Sequence, residues 1–220
     1  MVRLKKINIL LLMLVFSLFI YGDKCLAYKN VDVFNELLKV TNNQIVEIGL
    51  KAEYKTNNNG EKECINLLNN LNLNLNSKIL INNSQSFHVE FAKDKFSGYI
   101  ESTLSEGDNV IVINIIKKTK ENDLEDLEKR VSLAAQSENV KIKLFKYLKA
   151  KLSEQDLLSV NKRLVNKAKS EGAYNISSIP ISNGYSTVLN TNNVNLNYVL
   201  CNYSSGDYIL IGTPEIIASY

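Results

Sequence analysis

Only one histidine, His88, and three cysteines occur among the 220 residues, which narrows nucleophilic and metal chemistry at once. His88 lies in the alternating run Phe87–Ala92 and shares a strand face with Glu90. One imidazole without further strong ligands does not make a zinc site. A Ser–His or Cys–His nucleophile would have to use His88 itself. Cys64 lines up with Leu67, Leu68 and Leu71 at the spacing of a helix core face, and Cys201 falls in mid-strand. A disulfide between them is open in an oxidising compartment; two buried thiols are the preferred reading, and no CxxC pair is present. The acidic run Glu121, Asp123, Glu125, Asp126, Glu128 lacks the ligand spacing and glycine of a calcium loop. It opens a helix, where negative charge offsets the helix dipole. Glu101, Glu106 and Asp108 cluster near a hairpin turn without defining an acid–base pair. There is no P-loop and no GxGxxG. The expectation is a protein without catalytic residues, cofactor or metal. A hydrolase whose carboxylates meet only in the fold is the alternative.

One pattern carries more. Val140, Ile142, Leu144, Leu148, Ala150 and Leu152 alternate toward one side of a strand, interrupted only by Lys146. The other side carries Lys141, Lys143, Phe145, Tyr147, Lys149 and Lys151. Four lysines around two aromatic rings form a candidate ligand face for a polyanion, with the rings stacking on bases or sugars. The competing reading is a solvated strand whose lysines discourage edge-to-edge aggregation.

The start of the chain sets the compartment. Arg3, Lys5 and Lys6 precede an apolar stretch from Ile7 to Ile20, and Cys25-Leu26-Ala27 closes it with small residues at the first and third positions. This is the layout of a secretory signal over residues 1–27, cut between Ala27 and Tyr28. The apolar run is short for a membrane span, which needs about 20 residues; an uncleaved anchor remains the alternative. The chain carries 26 basic and 23 acidic residues, but residues 1–27 hold four of the former and one of the latter, so 22 of each remain. A neutral mature chain has no global field that draws in a polyanion.

Elements that must position these residues follow from periodicity. A helix over Val31–Thr41, a strand over Ile45–Thr56 and a helix over Glu61–Leu71 precede strands at Lys78–Ile81, Phe87–Ala92, Gly98–Leu104 and Val110–Lys117. The order then starts again: a helix over Asn122–Ser137, a strand over Val140–Leu152 and a helix to Ser170, with Ser153 and Asp156 resembling a capping box. Strands at Ala173–Ile179, Tyr185–Leu189, Val194–Tyr203 and Tyr208–Gly212 close the chain, with turns expected at Asn183-Gly184, Asn192-Asn193 and Gly206-Asp207. Tyr99, Ser105, Gly107 and Asp108 match Tyr198, Ser204, Gly206 and Asp207 at an offset of 99. The reading is an α+β protein of two duplicated helix-strand-helix-four-strand halves, 28–118 and 119–220, with antiparallel sheets and helices on one face.

The closing stretch resembles a known family. Asn183-Gly184-Tyr185-Ser186-Thr187, Tyr203-Ser204-Ser205-Gly206-Asp207 and Ile211-Gly212-Thr213-Pro214-Glu215-Ile216-Ile217 with Tyr220 are similar to the YwmB family of exported proteins from spore-forming Gram-positive bacteria. The resemblance implies a two-part α+β fold arranged like the TATA-box-binding protein, and it brings no catalytic residues. The function expected is non-enzymatic binding in the cell envelope, to an anionic wall polymer, a membrane surface or an envelope protein. Nucleic acid, suggested by the family's "TATA-box binding" label, is disfavoured by the leader and the neutral mature charge.

Overall fold

The computed structural model describes residues 35–73, 76–135, 141–154, 156–191 and 195–216. The leader, the Ala27–Tyr28 cut, the Asn192-Asn193 turn and the end of the terminal motif lie outside these residues. Alternation of apolar and polar side chains marks β1 (Asn43–Thr56), β3 (Ser86–Lys93), β4 (Phe96–Ser105) and β5 (Asp108–Lys118), and the exposed edge strand β2 (Asn76–Asn82) carries the run Ile79-Leu80-Ile81 instead. The strands that follow are β6 (Lys143–Leu152), β7 (Tyr174–Ile181), β8 (Gly184–Asn190), β9 (Asn195–Tyr203) and β10 (Gly206–Thr213). Helix α1 is described over 35–39, followed by α2 (Gly60–Asn70), α3 (Leu124–Ala135) and α4 (Leu157–Ser170). The fold is α+β.

All pairings are antiparallel and join the strands into one sheet of order β2-β3-β4-β5-β1-β6-β10-β9-β8-β7. The order reads the same from either end when each strand is matched to the one five later. β1 and β6 pair at the centre, with Ile48 opposite Leu148 and Ala52 opposite Leu144.

The period-2 pattern decides which face is covered. Ile48, Leu50, Ala52 and Tyr54 of β1 are buried, as are Ile111, Ile113 and Ile115 of β5 and Ile209 and Ile211 of β10. Their face takes all four helices into one apolar cluster that runs across both ends of the sheet. Lys146 breaks the apolar pattern of β6 because its ammonium reaches Glu128 of α3 at 2.8 Å.

Helix ends follow local chemistry. The Asn59 side chain accepts from the Lys62 amide at 3.0 Å and caps α2, and Glu61 and Glu63 stand in its first turn. For α4 the cap is Asp156 itself, which accepts from the Leu158 and Ser159 amides at 3.1 and 3.2 Å. Ser153 is not the capping residue that the sequence pattern suggested. Val160, Leu164 and Ala168 bury one stripe of α4 against the sheet. Within that stripe Asn161 accepts from the Tyr198 hydroxyl at 2.8 Å and donates to Ser178 Oγ at 3.0 Å, pinning α4 to β9 and β7.

The offset of 99 does not survive in register. Tyr198 is fully buried under α4, whereas Tyr99 lies on the opposite sheet face, stacked on His88 at 5.2 Å. A one-residue slip in alignment turns every side chain to the other face, so these identities do not mark equivalent positions. Cys64 and Cys201 are both buried free thiols. Cys64 lies on the sheet-facing side of α2 and Cys201 on the helix-free face of β9, so the two thiols stand on opposite sides of the sheet.

Both edge strands are interrupted. The β2–β3 register shifts between Ile79 and Ile81, and β7–β8 shifts between Tyr174 and Ser177. β7 also carries Pro180, which has no amide proton.

Two outcomes test this account. Asn161→Ala strands the Tyr198 hydroxyl in the core and should lower stability by about 1–3 kcal/mol in urea denaturation. At the other end of α4, Lys167 and Lys39 hydrogen-bond Glu36 and hold its pKa at about 2. That contribution is complete above the ordinary value of 4.5 and fades as pH falls from there toward 2. Comparing urea midpoints from pH 6 to pH 2.5, Glu36→Gln should show a shallower acid loss than the parent chain.

Candidate binding face and its basic clefts

The sheet face without helices is where the alternation of β6 places Lys143, Phe145, Tyr147, Lys149 and Lys151. Lys141 precedes the strand and is exposed, so it stands outside this row. Pairing with β1 sets Glu53 opposite Lys143, Lys51 opposite Phe145, Gly49 opposite Tyr147 and Glu47 opposite Lys149.

Those neighbours change what the row can do. Tyr147 is only 2% exposed. Its ring covers Gly49, where a Cβ would lie 1.9 Å from Tyr147 Cε1. Its hydroxyl donates to Glu47 Oε1 at 2.7 Å. Burial, then the Glu47 hydrogen bond, pushes the phenol pKa well above its usual range. The ring is therefore structural, not a stacking platform for a ligand. Phe145 is half-buried with the Lys51 ammonium 5.5 Å from its centroid, and Lys143 approaches Glu53 Oε1 at 3.7 Å. Further along, Val199, Cys201 and Leu210 are buried on the same face. Burial also raises the Cys201 thiol pKa and pushes the Cys64 thiol up to about 12; neither is an activated nucleophile.

Several cations without an ion-pair partner among the described residues gather at one end. Lys149 Nζ sits 5.3 Å from the Tyr203 ring and 5.2 Å from the Tyr208 ring. The two rings meet edge-on at 5.6 Å, and Lys151 Nζ lies 6.0 Å from Tyr208. A cleft of about 690 Å³ opens here, bounded by Lys118, Glu47, Lys149, Tyr203, Tyr208 and the serines of the β9–β10 turn. A second cleft of about 630 Å³ adjoins it, shares Val46 and Lys118, and adds Lys95, Lys117 and Lys120 together with Glu121 and Asp123. Of these, Lys117 pairs with Asp123. None of Lys95, Lys118, Lys120, Lys149 and Lys151 forms an ion pair with a described residue.

The sequence pattern missed Lys118, Tyr203 and Tyr208. Each is near a strand end in a different part of the chain, and only the strand order brings them beside Lys149. The Tyr203–Tyr208 spacing across a two-residue turn was the available signal.

The remaining candidates stay apart. His88 Nδ1 is 3.3 Å from Glu101 Oε2, and Nε2 is 3.9 Å from Glu90 Oε1, on the first-half portion of the same face. Glu106 approaches Lys55 at 3.8 Å on the β4–β5 turn. Three members of the acidic run form ion pairs: Asp123 with Lys117, Asp126 with Arg130 and Glu128 with Lys146. Among the described residues no group of three His, Cys, Asp or Glu side chains could hold a metal ion. No model of a known protein family matches the chain, and no curated protein matches its sequence.

The Gly49–Tyr147 contact has a measurable signature. Gly49→Ala overpacks the ring and should cost about 1–3 kcal/mol. In a Tyr147→Ala background the same change should cost much less in a denaturation double-mutant cycle. Equal costs in both backgrounds would refute the contact.

Proposed function

We propose that the chain is an exported, non-enzymatic binding protein of the cell envelope whose helix-free face and basic clefts hold an anionic wall polymer. The observation that carries this reading is that Lys95, Lys118, Lys120 and Lys149 around the two adjoining clefts are uncommitted to described carboxylates, with Lys149 against two tyrosine rings. Uncommitted ammonium groups beside aromatic carbon suit a chain of alternating anionic and apolar units. The leader over residues 1–27 supplies the compartment, and removing it leaves a neutral chain. Attraction to a polyanion then comes from local placement of lysines, not from net charge.

The palindromic strand order, with a helix ahead of both β1 and β6 and another behind each, supports a duplicated origin for the two halves. That reading rests on topology and not on the offset-99 identities. The same order supports an arrangement like the saddle of the TATA-box-binding protein, in keeping with the YwmB resemblance, but a fold likeness carries no function. A DNA saddle needs cations and apolar wedges aimed into the minor groove. On this face Tyr147, Val199 and Leu210 are buried, and the exposed Lys55 and Lys143 at the far end approach Glu106 and Glu53.

Sedimentation of residues 28–220 with purified anionic wall polymer should give salt-sensitive binding, weakened at least tenfold in Lys118→Glu/Lys149→Glu. Neutral glycan, anionic vesicles and duplex DNA serve as the competing ligands. Equal retention on neutral glycan, or micromolar DNA binding at physiological salt, would overturn the proposal.

A further inference from the structure

Register places three charged side chains in one line across the sheet: Lys118 of β5 opposite Glu47 of β1, and Glu47 opposite Lys149 of β6. Strand spacing puts the two lysine Cα atoms about 10 Å apart, a gap that two long side chains can close around one tetrahedral anion. Neither ammonium lies within ion-pairing distance of Glu47, whose Oε1 instead accepts the Tyr147 hydroxyl. Lys149 is held between two tyrosine rings, so its position is set before any ligand arrives. The turn residues Ser204 and Ser205 are exposed and border the same 690 Å³ cleft.

We infer that this cleft is a subsite for a phosphorylated polyol, with Lys118 and Lys149 on the phosphate and Glu47, Ser204 and Ser205 on the polyol hydroxyls. The inference deepens the anionic-polymer reading and rests on it for the compartment. Glu47 discriminates between ligands. A bare phosphate, a sulfate or a polycarboxylate meets a carboxylate between the lysines and is repelled. A ligand that carries hydroxyl donors beside its phosphate gives Glu47 a hydrogen bond. The Tyr203 and Tyr208 rings line the wall along which the carbon chain runs. A polyol phosphate occurs both as a polymer repeat and as a lipid headgroup, so the source must be separated by experiment.

The test is amide-resolved NMR of residues 28–220 titrated with glycerol 1-phosphate, inorganic phosphate and glycerol, alongside sedimentation with poly(glycerol phosphate), polygalacturonate and phosphatidylglycerol vesicles. Glycerol 1-phosphate should shift Ser204, Ser205 and Gly206 and bind more tightly than inorganic phosphate. Lys118→Ala and Lys149→Ala should each weaken it about tenfold while leaving the spectrum away from the cleft intact. Glu47→Gln should tighten inorganic phosphate and erase the preference for the polyol ester. Inorganic phosphate binding as tightly as glycerol 1-phosphate, or no response at the turn, would overturn the subsite. If the polymer is retained while glycerol 1-phosphate leaves the cleft unmoved, the subsite falls and the wall-polymer reading stands. If glycerol 1-phosphate saturates the cleft and only vesicles are retained, the subsite stands with a lipid headgroup as its source, and the wall-polymer reading falls.

Discussion

Pairing of β1 with β6 holds the rest of the molecule in place. These two long strands start from different parts of the chain, yet their ladder makes one sheet out of two sets of five strands. Ile48 against Leu148 and Ala52 against Leu144 fix its register from the covered side. A slip of one residue would carry lysines into the core and leucines into solvent. Because both faces follow from that single register, the position of every cation on the open face is set by apolar packing on the other.

The same constraint explains how charge is organised. Residues 28–220 carry equal numbers of basic and acidic side chains, and strand pairing sorts those charges by location. Glu128 and Asp123 neutralise the lysines that point toward the helices. Lys118 and Lys149 point the other way and stay uncommitted. Tyr147 takes up Glu47, the carboxylate that separates them, and Gly49 makes room for that ring. A glycine on a covered stretch of sheet thus bears on the electrostatics of a cleft next to it.

Local features were legible from the residues alone. Period-2 and helical patterns placed the described strands and helices close to their observed ends, and the acidic run was recognised as a helix start. What escaped was whatever depends on pairing. Tyr99 and Tyr198 look equivalent along the chain but face opposite ways, because alignment by identity carries no information about pleat parity. Tyr147 reads as exposed from alternation, and its burial depends on a glycine nearly 100 positions earlier. Ser153 looks like a cap because its spacing is right, but Asp156 competes with a stronger acceptor one residue before the helix. Lys118, Tyr203 and Tyr208 become a group only once β5, β9 and β10 have taken their places in the sheet.

The two broken edges bear on how the protein assembles. A sheet with a free strand at either end can add copies of itself head to tail, and such a series has no symmetry that closes it. Here each end carries a register break, and one also lacks an amide proton at Pro180. A neighbouring strand would find the ladder out of step after a few residues. Such breaks disfavour edge-to-edge growth at the two outermost strands, while the broad face between them stays open.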